Sequence, residues 1–143
     1  MNPIVKNTLA VLAGIVVGSI VNMSIVLLSG SIIPLPEGAD NRTMESLKST
    51  MHLFEAKHYL FPFLAHAIGT FVGAITTALL AFNHKKKLAL LIGAFFLFGG
   101  IVSVCSLPSP VWFTIVDLVF AYIPMAYLAL KLLCHKGKIQ KKE

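Results

Sequence analysis

Long apolar runs separated by a few clumps of lysine leave this chain few ways to fold. The runs extend from about Ile4 to Leu28, Tyr59 to Phe82, Leu88 to Ser106 and Val111 to Leu133. Each is near the ~20 residues that carry a helix across the hydrocarbon core of a bilayer. Only 13% of the 143 residues are charged and 57% are apolar, whereas soluble domains average about 25% charged. A single water-facing core is therefore excluded. The expected fold is an all-α integral membrane protein: one domain over residues 1–143, with four transmembrane helices in an antiparallel bundle and a short amphipathic helix in the first outer loop.

The charges set an orientation. Lys6, Lys85, Lys86, Lys87, Lys131, Lys136, Lys138, Lys141 and Lys142 fall on one side of such a bundle, and Arg42, Lys48 and Lys57 on the other. The lysine-rich side is expected to be cytoplasmic. Both termini, the basic tail 134–143 and the Lys85 loop then lie inside, with residues 31–57 and the Pro108 turn outside. This topology accounts for the formal charge of +6. The chain lacks a basic groove with interleaved aromatics, so nucleic acid is not an expected partner. The first run has a rival reading as a signal peptide, but it is longer than the usual h-region of ~7–15 residues and lacks a small-x-small cleavage site. Cys105 and Cys134 fall near opposite faces, too far apart to pair within one chain.

Residues 31–57 open with Pro34, Pro36 and Gly38, a turn-rich start. Asp40 or Asn41 is then placed to cap a helix over about 41–56, with Met44, Leu47, Met51 and Phe54 on one face. Such a helix lies on lipid or across the mouth of the bundle. Asn41-Arg42-Thr43 fits the glycosylation pattern, a weak match. His52, Glu55 and His58 stand at i, i+3 and i+6 and are the candidate metal ligands. Helix bundles that hold two metals need a second Glu-x-x-His and further carboxylates. This chain has neither, and its polar face is adequately read as solvated. A bis-His haem needs two histidines within the spans, where only His66 is found, since His84 lies at the opposite face. No metal or cofactor is expected.

Small residues mark the helix contacts. Gly14-Ile-Val-Val-Gly18 and Gly69-Thr-Phe-Val-Gly73 are both GxxxG ridges, which let helix backbones approach closely in lipid. Polar residues inside the spans are few and costly, so each marks a site or a specific packing contact. Asn22, His66 and Asp117 each stand about seven residues from the outer end of their run, roughly 10 Å below the outer surface at 1.5 Å per residue. The expected arrangement pairs His66 with Asp117, with Asn22, Thr70, Ser103 and Tyr122 as further members of the polar level. Pro124 removes a helical donor one turn past Asp117 and is expected to bend the fourth run there. A His–Asp pair that merely fixes helix register is the plainer reading of the same residues. A Ser-His-Asp arrangement with Ser103 or Ser24 has no sequence signature for a nucleophile.

The stretch MESLKSTMHLFEAKHYLFPFLAHAIGTFVGA and the closing DLVFAYIPMAYLAL resemble a group of short bacterial membrane proteins with four predicted spans. The resemblance covers nearly the whole chain and implies a bacterial cytoplasmic membrane, but no activity. The small multidrug transporters are a different pattern, with a membrane-embedded glutamate in the first helix where this chain has no acid. The leading functional expectation is a binding or transport module for a small ligand, ion or proton at the Asn22–His66–Asp117 level, with the bilayer as its surroundings. The alternative is a non-catalytic accessory subunit whose glycine ridges dock a second copy or a larger membrane partner.

Overall fold

A computed structural model of the chain describes residues 2–137; the expected basic tail beyond Gly137, with Lys138, Lys141 and Lys142, lies outside the described residues. The described part is helical, without strands, and its elements are α1 (Pro3–Ile32), α2 (Met44–Thr50), α3 (Leu60–Leu80), α4 (Lys85–Ser106), α5 (Val111–Phe120) and α6 (Ile123–His135). Single 3-10 turns at Met51–Leu53 and Ala56–Tyr59 join α2 to α3. Four helical segments are long and apolar enough to cross a membrane: Pro3–Ile32, Ala56–Leu80, Lys85–Ser106 and Val111–His135.

Local chemistry sets the ends. The Asn2 side chain accepts from the Ile4 N–H and Pro3 opens the helix, so α1 starts on a capped first turn. It runs one turn beyond the expected Leu28 and stops where Ile33 turns extended ahead of Pro34. α4 likewise ends at Leu107, extended before Pro108. The fourth of these segments is two helices rather than one. Pro124 has no N–H to give the Phe120 carbonyl, and the chain leaves helical geometry at Tyr122 (φ −118°, ψ −83°).

α3 is the hub. One of its faces meets α1 so closely that a Cβ on Gly14 would lie 2.7 Å from the Gly73 carbonyl oxygen, and one on Gly18 would lie 2.8 Å from that of Gly69. The two glycine ridges thus face each other, and α1 and α3 run in opposite directions. Thr77 Oγ1 closes the contact by donating to the Ala10 carbonyl at 3.2 Å. Another face of α3 presents Ala74 and Ala78 to Ala89 and Ile92 of α4 and to Ala126, Ala129 and Leu130 of α6. Small side chains permit this packing by letting the helix backbones approach closely. Val11 and Ile15 of α1 also pack on this core, while Ile4, Leu9, Val16, Ile20 and Leu27 on its other side are exposed.

The first long connection departs from the expected helix over 41–56. Only Met44–Thr50 is α-helical, and its cap is Thr43, not Asp40 or Asn41: Thr43 Oγ1 accepts from the Ser46 N–H at 3.0 Å, while Ser46 Oγ accepts from the Thr43 N–H. Asp40 instead accepts the Arg42 N–H at 2.9 Å. Extended backbone at Phe54 and Glu55 then separates the two 3-10 turns. Met51, Tyr59 and Phe113 are buried together, with Phe54 and Leu107 against them, which ties this connection onto the start of α3 and the first turn of α5.

Candidate functional site

The break in the fourth span lies beside the one buried carboxylate among the described residues. Asp117 sits on the last turn of α5 and Tyr122 at the break itself, and each is 2% exposed. His66 reaches Asp117 from the second turn of α3: its Nδ1 is 2.8 Å from Oδ1 and 3.0 Å from Oδ2. The Tyr122 hydroxyl donates to Oδ2 at 2.8 Å, and its ring stacks on the imidazole with centroids 5.7 Å apart. A carboxylate that accepts the Nδ1 proton leaves the lone pair of a neutral imidazole on Nε2. That nitrogen has no hydrogen-bond partner among the described residues, and the His66 side chain is 23% exposed. The arrangement is a buried carboxyl group with an imidazole nitrogen and a phenol on it, and a second imidazole nitrogen without a partner among the described residues.

Gly100 makes this possible. A Cβ there would collide with the Tyr122 phenol, with Cε2 at 2.9 Å, so α4 must be bare where the ring enters. In the sequence Gly100 stands out only as half of the Gly99-Gly100 pair. A glycine pair inside an apolar run is the signal of close approach, but the run does not say what approaches.

Other members of the polar level stand nearby without joining the chain of bonds. The antiparallel register that sets Gly18 against Gly69 brings Asn22 one turn further, to the level of Ala65 and His66, and a Cβ on Gly69 would lie 3.0 Å from that of Asn22. Asn22 Oδ1 and Thr70 Oγ1 are buried without a hydrogen-bond partner. Leaving such groups unpaired costs about 1–3 kcal/mol each. Ser103 makes no side-chain bond to His66, Asp117 or Tyr122 among the described residues, and the Ser24 hydroxyl is taken by the Ile20 carbonyl at 2.7 Å. Neither serine therefore stands as a nucleophile beside His66.

His52, Glu55 and His58 do not converge. Their expected face requires one continuous helix, and the extended residues Phe54 and Glu55 interrupt it. His58 is buried and used twice: Nδ1 accepts the Glu55 N–H at 2.9 Å, and Nε2 then donates to the Pro34 carbonyl at 3.2 Å. Glu55 pairs with Lys57 at 3.0 Å. No group of three potential metal ligands occurs among the described residues. Cys105 and Cys134 are both free thiols.

No protein-family model, curated protein or solved structure matches the chain. The geometry of His66, Asp117 and Tyr122 is thus the ground on which a function can be argued.

Proposed function

We propose that this chain is a multi-pass membrane protein that takes up and releases a proton at His66, with Asp117 and Tyr122 as its support. The carrying observation is His66 Nδ1 on both Asp117 oxygens inside helices long enough to span a bilayer, with Nε2 unbonded. An ionisable pair in lipid is costly, and such pairs recur in proton relays. The burial of Asp117 and Tyr122 leaves the carboxylate no room for a solute but suits a proton. At and one turn below this level, Asn22 Oδ1 and Thr70 Oγ1 are buried with no partner among the described residues, leaving one acceptor and one donor unused beside the pair. A spanning helix broken beside an acid is also the form in which transporters build ion sites.

In this reading the four long segments form an antiparallel bundle in a bacterial cytoplasmic membrane, with both termini and Lys85–Lys87 inside, as the excess of lysine on that side favours. The connection around α2 then covers the outer end. The accessory-subunit reading is weaker, because the glycine ridges that would dock a partner are engaged with each other.

Proton movement into liposomes tests the proposal. After an acid pulse, vesicles holding the wild-type chain and a trapped pH dye are expected to acidify faster than vesicles holding Asp117→Asn, at equal incorporation and helicity. Equal rates, or rates no faster than empty vesicles, contradict the proposal.

A further inference from the structure

The opposite end of α1 carries a second feature that the His66 centre does not use. Asn7 clasps the connection between α3 and α4: its Oδ1 accepts the Phe82 N–H at 3.0 Å and its Nδ2 donates to Asn83 Oδ1 at 2.6 Å. Lys6 Nζ lies 5.0 Å from the centroid of the Phe82 ring, within cation–π range. Beside this clasp a groove of about 640 Å³ opens between α1 and α3. Leu9, Ala13 and Leu80 make its wall apolar, and Lys6 and Lys85 stand on its rim.

Among the described residues, the charge on that rim has no counterpart. Lys6 and Lys85 pair with no carboxylate among the described residues. The described acids are Glu37, Asp40, Glu45 and Glu55 in the connection at the far end of α1, and Asp117 within a span. The 30 residues of α1 separate the two ends by roughly 45 Å. Lys85, Lys86 and Lys87 also occupy the first turn of α4, where the helix dipole favours anions, and His84 gives that turn no side-chain cap.

We propose that this groove binds an anionic phospholipid, its phosphate between the Lys6 and Lys85 ammonium groups and one acyl chain along Leu9, Ala13 and Leu80. A bare anion leaves the apolar wall unused, and a neutral lipid leaves two lysines uncompensated. Juxtamembrane lysines each contribute about 1 kcal/mol to anionic-lipid attraction, so loss of two weakens binding on the order of tenfold or more.

The test is native mass spectrometry of the whole chain released from nanodiscs of equal phosphatidylglycerol and phosphatidylcholine. The wild type is expected to retain phosphatidylglycerol, and Lys6→Gln with Lys85→Gln to lose it on the order of tenfold. Lys131→Gln with Lys136→Gln removes the same charge elsewhere and is expected to retain the lipid. Ala13→Phe fills the groove and is expected to lose the lipid with both lysines intact. Equal retention of the two lipids by the wild type overturns the proposal. So does equal loss in the two lysine pairs, or full retention by folded Ala13→Phe. The lysine variants alter only the rim and decide the matter even where Ala13→Phe does not fold.

Discussion

Replacing Gly73 by alanine puts a methyl group 2.7 Å from the Gly14 carbonyl oxygen and 3.3 Å from Ile92 Cγ2 and Phe96 Cε2. Ordinary contact begins at 3.4 Å, so α1 and α3 must part by about 0.7 Å, which is 3.4 less 2.7. The obstacle is backbone, which cannot swing aside as a side chain can. Overpacking of this kind costs about 1–3 kcal/mol, and alanine recovers up to ~1 kcal/mol through helix propensity. With that gain taken in full the net loss is about 0–2 kcal/mol, and the deficit relative to a glycine that receives the gain alone is about 1–3 kcal/mol. Gly99, with nothing within 4 Å of its added Cβ, is the internal control. Gly99→Ala receives the propensity gain alone and is expected to be neutral or more stable by up to ~1 kcal/mol. Unfolding in mixed micelles of rising dodecyl sulfate fraction, followed by circular dichroism, separates the two. If Gly73→Ala proves as stable as Gly99→Ala, the close crossing of α1 and α3 is refuted.

Gly100→Ala is expected to push Tyr122 off Asp117, because the new Cβ meets the phenol ring. Tyr122→Phe should then cost about 1–3 kcal/mol in the wild-type background and little in Gly100→Ala. A double-mutant cycle from the same unfolding assay reads a coupling of about 0.5–3 kcal/mol, and strict additivity would tell against the contact. The Asp40 carboxyl is held below its ordinary value of 3.8, first by the Arg42 backbone N–H it accepts and then by the Arg42 guanidinium. A lowered folded value means a contribution fully present above that ordinary value and lost as the pH falls below it toward the folded one. Protection of the Arg42 amide from hydrogen exchange, relative to the unfolded chain at each pH, should decline over that interval. Unchanged protection there refutes the turn.

The sequence carried the four long apolar helices because a membrane-crossing length and composition are conspicuous, and its glycine ridges because close helix contact demands small residues. His66, Asp117 and Tyr122 were legible for the same reason: in an apolar run a polar group is conspicuous. The connection 33–59 was not legible. Met44, Leu47, Met51 and Phe54 keep helical spacing, yet the Thr43–Ser46 cap and the Pro34 carbonyl claimed by His58 draw the chain into short turns. Helical periodicity cannot report a bond between residues 24 apart. Gly100 was missed on similar grounds, since its need arises from a ring on another helix. Pro124 predicts a bend, but a break that brings the Tyr122 hydroxyl onto the Asp117 carboxylate depends on how α5 and α6 dock on α3 and α4.

In the proposed role, the imidazole of His66 carries a proton on Nδ1 toward Asp117 and exchanges one at Nε2. Nitrogen NMR of ring-labelled histidine in bilayers, assigned by comparison with His66→Gln, reads both nitrogens directly. The predicted result is Nδ1 protonated throughout, Nε2 changing between acid and alkaline buffer, and the Nδ1 preference lost in Asp117→Asn. A wild-type His66 with Nδ1 unprotonated, or with Nε2 indifferent to buffer pH, contradicts it.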